Sequence, residues 1–309
     1  MVTRVTTPGN YSAVLANLLA AQQRQMDAGD KVATQKNGDN LKDYSQNDEL
    51  LTSMQSLSTR LGVYQNQNKL ISQKLSTQSD ALNSVADAAQ NIRQVIADAI
   101  ASDRVDTLME DIQSQMSNAV QAMNARFGGK YLFAGGQVDT QPVTAATMAD
   151  LTSGPPISSF FQNDNYQVTA QADESTTVKT GILASDIGTE MLNALQTIQQ
   201  FHQSGSGPFN GQMTAAQRTF LTSQLQTWDT VRSDVTAIAA RNGVNQQRVS
   251  AVADDLTTRS NSLQGMIGDI TDADMAQASS NLQQAQLSVQ AAAYVYQALQ
   301  QSSLINILK

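Results

Sequence analysis

Long runs of apolar residues spaced alternately three and four apart occupy both ends of this 309-residue chain. The clearest run extends over residues 50–99 without a slip, and only Asn68 and Gln78 interrupt its apolar character. A sustained period of 3.5 residues predicts a helix with a narrow apolar seam, as in left-handed coiled coils. One helix cannot bury such a seam alone, so we expect the two ends to pack on each other and on other copies of the chain.

Further helices are predicted on both sides of this run. The first covers about residues 8–28, where Pro8 suits a helix start and Gly29 a helix end. At Ser102-Asp103 the seam changes phase, which predicts a kink or short turn before a helix that ends at residues 127–129. Later helices are predicted over residues 186–203 and from Phe220 onward, where the pattern resumes after Asn242-Gly243 and breaks at Thr271-Asp272.

Between residues 130 and 182 the chain changes character. Glycine, proline and asparagine clusters separate short apolar runs there, among them Tyr131-Leu132-Phe133 and Tyr166-Gln167-Val168-Thr169. This punctuation predicts a small β-rich segment. Since the flanking helices can pair without it, we expect an outward-facing module whose removal leaves that pairing intact. The predicted fold is therefore mainly α, a long antiparallel coiled-coil or helical bundle formed by the N- and C-terminal regions, with a small β-rich inserted domain.

This pattern divides the chain into five segments. They are an N-terminal assembly segment (1–44), disordered or helical in the monomer, long coiled-coil helices (45–129), the β-rich insert (130–184), returning helices (185–270) and a C-terminal assembly helix (271–309). The terminal segments are expected to mediate assembly, because residues 304–308 are largely apolar with no following sequence to cover them. The residues expected at the interface between copies are Tyr11, Leu15, Leu18, Leu282, Val289, Tyr296, Leu299, Leu304 and Leu308.

The composition argues against an enzyme and against a metal or cofactor site. Cysteine is absent and His202 is the single histidine, which excludes disulfides, thiolate metal sites and a zinc site built from several histidines. We expect His202 at a helix end, and the acidic pairs Asp254-Asp255 and Asp272/Asp274 on solvated faces or first helical turns. Gly128-Gly129 and Gly135-Gly136 lack the Lys-Ser/Thr of a phosphate-binding loop. We therefore predict no catalytic, cofactor-binding or metal-binding residues.

Charge and hydropathy also limit the classes of partner that the protein is expected to bind. The formal net charge is −8, and an acidic surface does not attract nucleic acid or an anionic membrane. No stretch reaches the roughly 18 consecutive apolar residues of a membrane-spanning helix, and the N-terminus lacks the apolar core of a secretory signal. If the protein acts outside the cell, we expect it to leave by a route that needs no cleaved signal.

The sequence where the N-terminal helices end resembles a known family. Tyr131-Leu132-Phe133-Ala134-Gly135, followed by Asp139-Thr140-Gln141-Pro142, resembles the exit from the helices in the flagellin-like family of bacterial hook-filament junction proteins, the third hook-associated proteins. Residues 1–17, with Arg4-Val5-Thr6, are similar to that family's N-terminal segment. The resemblance to its C-terminal helix lies in Asp272, Asp274, Met275, Ala276, Ala278, Leu282, Gln286, Leu287, Gln290, Ala291, Leu304 and Leu308. Residues 34–41 depart from the family's Gly-Lys/Arg-Arg turn and Pro-Ser-Asp-Asp-Pro stretch, which leaves the geometry of that loop open.

The resemblance implies a structural component of the bacterial flagellum that forms the junction between hook and filament by coiled-coil self-assembly after type III export. It implies an extracellular location and four kinds of partner: copies of the chain in a ring or tube, a neighbouring hook-associated protein, flagellin, and a flagellar export chaperone. It implies no nucleic acid, membrane or cofactor. A flagellin filament subunit is the alternative, since the terminal pattern is common to both. A cytoplasmic coiled-coil signalling rod is disfavoured, because residues 130–182 interrupt the heptads.

Overall fold

The computed structural model describes the backbone of residues 7–307 and the side chains of residues 12–301. Within these residues, the long helices are α1 (Thr7–Thr34), α2 (Asp48–Ser102), α3 (Leu108–Met123), α4 (Ala184–Gln203), α5 (Ala215–Thr271) and α6 (Met275–Ile307). Two antiparallel pairs of short strands join β1 (Arg126–Phe127) to β2 (Lys130–Tyr131) and β3 (Thr169–Gln171) to β4 (Thr177–Lys179). Short 3-10 segments cover Leu41–Tyr44, Asp150–Thr152 and Ile157–Phe160. The predicted fold class, mainly α with a small β-containing insert, is confirmed.

Two predicted helix ends are wrong. The first helix does not stop at Gly29 but continues to Thr34, because α1 packs against α6 along this stretch and packing outweighs the roughly 1 kcal/mol that a mid-helix glycine costs. The helix predicted to end at residues 127–129 ends at Met123. Gly128 and Gly129, both at positive φ, form instead the two-residue turn between β1 and β2, a conformation that glycine adopts without steric cost.

Of the three other breaks in the apolar pattern, two coincide with a helix end in the structure and one does not. The phase change at Ser102-Asp103 is confirmed, since α2 ends at Ser102 and α3 begins at Leu108. The break at Thr271-Asp272 is also confirmed, because it separates α5 from α6. At Asn242-Gly243, in contrast, α5 continues without interruption. There the buried Asn242 amide donates a hydrogen bond to the Leu75 carbonyl oxygen at 2.8 Å, which anchors the helix instead of ending it.

The chain folds into two compact units. The terminal unit comprises Met1–Arg60 and Arg259–Lys309, and the central unit comprises Leu61–Thr258. In the central unit, the seam of α2 packs with α3, α4 and the first half of α5 around one continuous core. The largest fully buried side chains of that core include Leu82, Ile92, Ile96, Leu108, Ile112, Met116 and Trp228.

The segment between α3 and α4 contributes to this same core. Its strands are only two or three residues long, and much of it is turns and loops. Several of its side chains are nevertheless fully buried among those of the helices, and the Ala184 N–H at the start of α4 donates to the Phe133 carbonyl oxygen at 2.9 Å. The buried residues of this segment include Phe133, Val143, Met148, Leu151 and Ile157.

The two polar residues in the α2 seam have a structural explanation. A second, smaller cluster forms where Ala172 and Val178 of the β3–β4 hairpin pack on Ile71 and Leu75 of α2 and on Val249 of α5. At its margins the buried Asn68 amide donates to the Ala172 carbonyl oxygen. The buried Gln78 amide donates to the Thr180 carbonyl oxygen at 3.0 Å. Both side chains therefore bind the hairpin backbone, whose carbonyl groups need partners when they are buried.

A polar network holds the turn between α2 and α3. Arg218 of α5 donates to the Ile100 carbonyl oxygen at 3.0 Å, at the end of α2, and pairs with the Asp103 carboxylate. Gln212 donates to the same carboxylate at 3.1 Å. Asp103 has a φ of +59°, which is rarely adopted by residues other than glycine and is maintained here by these contacts. The hydrogen bonds from Gln212 and Arg218 lower the pKa of Asp103 below its ordinary value.

This network predicts a pH dependence of the central unit. Because the pKa of Asp103 is lower in the folded than in the unfolded chain, its stabilising contribution is complete above the ordinary carboxyl pKa and is lost as the pH falls through the folded value. We expect Asp103→Asn to lower the unfolding midpoint in urea at pH 7, and the difference from wild type to shrink as the pH falls through the folded pKa of Asp103. The control is Asp80→Asn on an exposed face of α2. An effect of Asp103→Asn that does not change with pH would contradict the assignment.

Candidate functional site on the terminal helices

The terminal helices α1 and α6 pack on each other as an antiparallel pair. Residues immediately after α1 and immediately before α6 lie side by side, since Lys36 and Asp272 form an antiparallel bridge. From that point the two helices run together, and α6 is the main contact of α1. The expectation that the two ends of the chain pack on each other is confirmed.

The seam between α1 and α6 is built on small side chains. Among residues with described side chains, its buried positions are two alanines on each helix, each pair spaced seven residues apart. Between them lie half-buried residues that complete an alternating spacing of four and three, the pattern of an antiparallel coiled coil. The seam positions are Val14, Leu18, Ala21, Gln25, Ala28 and Val32 on α1, and Ala278, Leu282, Ala285, Val289, Ala292, Tyr296 and Leu299 on α6.

Most of the residues predicted at the interface between copies lie on this seam. Leu18, Leu282, Val289, Tyr296 and Leu299 occupy its half-buried positions. Leu15 lies beside the seam and is exposed. Tyr11 and Leu304 belong to α1 and α6, but their side chains, like the whole of Leu308, lie outside the described part of the chain. Intramolecular packing of α1 and α6 thus accounts for much of the burial of these residues.

A second set of apolar residues remains on the surface of the same two helices. Leu19 and Met26 on α1 are each 57% exposed, and Leu287 and Tyr294 on α6 are 65% and 74% exposed. Each pair is spaced seven residues apart, so its members lie on one face of their helix. Large exposed apolar side chains in a regular row indicate a protein interface. The prediction from sequence missed these residues, although a second heptad row on the outer side of each helix was a usable signal.

The remaining candidates for chemistry have structural roles. His202 lies in the last turn of α4, where its Nδ1 accepts a hydrogen bond from the Phe209 N–H at 3.1 Å. Asp274 caps α6, since its carboxylate accepts hydrogen bonds from the N–H groups of Ala276 and Gln277 at 2.9 and 3.2 Å. Among residues with described side chains, no three His, Asp or Glu residues cluster in a way that would hold a metal ion. None of the described helices has the length and apolarity to span a membrane.

Comparison with known families identifies both ends of the chain. Residues 5–138 match the N-terminal helical region of bacterial flagellin, and residues 225–308 match its C-terminal helical region. The two matches together cover more than two thirds of the chain. They include the paired terminal helices and most of α5. Among curated protein sequences, none matches the chain.

Solved structures with similar folds carry related names. A putative flagellar hook-associated protein from Vibrio parahaemolyticus is 14% identical, with a TM-score of 0.60 over 72% of this chain and 97% of that one. The flagellar hook-associated protein HAP-3 from Legionella pneumophila is 10% identical, with a TM-score of 0.58 over 71% and 98%. FlgL from Bacillus cereus is 12% identical, with a TM-score of 0.54 over 69% and 97%. At these identities the likeness establishes a common fold. Because flagellin-type regions form both of its ends and pair with each other, the chain belongs to the bacterial flagellin family.

Proposed function

We propose that this protein is a structural component of the bacterial flagellum that forms the junction between hook and filament. The observation that carries the proposal is the exposed apolar row on α1 and α6, on helices that belong to the flagellin family's matched regions. The fold neighbours named as hook-associated proteins favour the junction over other positions in the flagellum. The function is structural and involves no catalysis.

The exposed row explains how copies of the chain would associate. Within one chain the alanine seam of α1 and α6 is already occupied, so assembly requires a different surface. Burying a large apolar side chain contributes about 1.5–3 kcal/mol, and Leu19, Met26, Leu287 and Tyr294 provide four such side chains for each copy. We therefore assign the contact between copies in a ring or tube to this row, together with the exposed Leu15. The same surface is available to flagellin or to a neighbouring hook-associated protein.

The remaining parts of the proposal concern location and export. We infer that the protein is exported unfolded through the flagellar secretion apparatus with the help of a chaperone, and that it functions outside the cell. In the assembled tube we place the terminal helices at the contacts between copies and residues 130–184 on the outside. The absence of cysteine from the sequence is compatible with this route, because no disulfide has to form after export.

The second candidate is a filament subunit, and one observation favours it: both matched regions are those of flagellin. Deleting the gene in its own host separates the two functions. If the protein is the junction, electron microscopy will show hooks without filaments and the medium will contain shed flagellin. If it is the filament subunit, hooks will lack filaments but no other flagellin will accumulate outside the cell. Normal filaments on the deletion strain would contradict both functions.

A double substitution tests the assembly surface directly. Leu19→Asp with Tyr294→Asp places charges in the exposed row and leaves the seam intact. We expect a wild-type thermal melt of the isolated protein and at least about a tenfold loss of filaments per cell, because a charge buried between copies without a partner is strongly unfavourable. The control, Gln23→Asp with Gln286→Asp, changes exposed polar residues of the same helices. Filament numbers equal to those of the control would exclude this row from the interface.

A further inference from the structure

The two chain segments that join the terminal helices to α2 and α5 pair side by side in antiparallel orientation. Residues 35–37 follow α1, and residues 272–274 connect Thr271, the last residue of α5, to α6. The Asn37 N–H donates to the Thr271 carbonyl oxygen at 2.8 Å, and the Ala273 N–H donates to the Gln35 carbonyl oxygen at 2.9 Å. These two bonds flank Lys36 and Asp272, which therefore form a non-hydrogen-bonded antiparallel pair. We call this pairing of residues 35–38 with residues 271–273 the terminal clamp.

Side chains reinforce the terminal clamp. The Asn37 amide donates to the Asp272 carbonyl oxygen at 2.9 Å. The Tyr44 hydroxyl accepts a hydrogen bond from the Gly38 N–H at 2.9 Å and lies 3.2 Å from the Thr271 carbonyl oxygen. Gly38 is required at its position, because a Cβ there would lie 2.3 Å from the Cβ of Asp43. The loop whose geometry the sequence left open is thus bound to the break between α5 and α6.

The buried side chains of the seam between α1 and α6 do little to define the register in which the two helices pair. The buried residues of the seam, in the part of the chain with described side chains, are Ala21 and Ala28 on α1, and Ala278 and Ala285 on α6. A coiled coil is aligned by side chains of different size and by buried polar groups at single positions. Here the buried positions with described side chains are all alanine, and the seam residues that differ most in polarity and size, Gln25 and Tyr296, are only half-buried. The buried alanines by themselves therefore do little to distinguish one register from another.

We propose that the terminal clamp sets the register of the α1–α6 coiled coil. Its hydrogen bonds join particular backbone atoms of both segments, so only one alignment of the helices that follow is compatible with all of them. Helices held in one register present Leu19, Met26, Leu287 and Tyr294 at fixed relative positions. This inference depends on the pairing of α1 with α6 and not on a role in the flagellum.

Removing the backbone donors of the clamp tests this inference. Asn37→Pro with Ala273→Pro eliminates both N–H groups that donate between the two segments of the clamp, and it leaves the seam unchanged. Lys36 and Asp272, which precede these two positions, lie in the bridge, and a residue that precedes proline favours extended backbone. The control, Asn37→Ala with Ala273→Ser, retains both N–H groups. Since the chain has no cysteine, spin labels can be attached solely at introduced cysteines, replacing the exposed Asn17 on α1 and Ser280 on α6.

The distance between the two labels distinguishes the outcomes. We expect one distance in the control and at least one additional distance in the proline variant, with the helical signal in circular dichroism retained and Trp228 fluorescence unchanged. A single distance equal to that of the control would overturn the inference, because the seam would then set its own register. A broad distribution with loss of helical signal would also overturn it, because the clamp would then be required for pairing itself.

Discussion

A chain in which residues 130–182 are replaced by a short glycine-serine linker is expected to lose the cooperative fold of its central unit. The sequence alone suggested the opposite, that the flanking helices pair without this segment. In the structure, however, Phe133, Val143, Leu151 and Ile157 are buried in the same core as α2, α3 and α4. Each such side chain contributes about 1.5–3 kcal/mol when buried, and together the four are comparable to the roughly 5–15 kcal/mol that stabilises a typical domain.

Denaturation in urea provides the measurement. We expect the linker variant to show no cooperative transition in the fluorescence of Trp228, which is fully buried in this core, and to have a reduced helical signal. Two point variants identify the cause. Phe133→Ala should cost about 3–5 kcal/mol, whereas Tyr166→Ala, at an exposed position in the same segment, should cost less than about 0.5 kcal/mol. A cooperative wild-type transition in the linker variant would mean that the segment is a separate module.

The second large effect is expected for Leu82→Asp. Leu82 has no exposed surface and lies in the α2 seam within the main core. Its replacement by alanine would cost about 2–5 kcal/mol through lost burial and a cavity. Aspartate adds the cost of placing a carboxylate without a partner in an apolar environment. We therefore expect the central unit of this variant to be unfolded or barely stable at 25 °C.

The neighbouring Asn83 supplies the matched control. Asn83→Asp introduces the same charge one residue along α2, at an exposed position, and should leave the unfolding midpoint within about 0.5 kcal/mol of wild type. The comparison separates the effect of burial from that of the added negative charge on an already acidic protein. If the two variants melt alike, position 82 does not lie in the core.

The alternation of three- and four-residue spacings determined where the helices lie. It predicted the length of α2, the breaks at Ser102-Asp103 and Thr271-Asp272, and the pairing of the chain ends, all of which the structure shows. This succeeds because a heptad row is a local property that each helix displays in its own sequence. Helix ends were less predictable. Gly29 and Gly243 carry a local tendency to end a helix, and tertiary packing overrides it at both positions.

Only the tertiary structure decided which apolar row has a partner within the chain. Periodicity shows that Leu18, Leu19, Leu282 and Leu287 all belong to apolar rows, but it does not say which row meets another helix. The structure places Leu18 and Leu282 on the α1–α6 seam and leaves Leu19 and Leu287 exposed. The choice arises from alanines that allow close approach of helices more than 200 residues apart in the sequence. The same dependence on distant contacts explains Asn68 and Gln78, which interrupt the α2 seam because the β3–β4 hairpin, about 100 residues later, supplies carbonyl groups for them to bind.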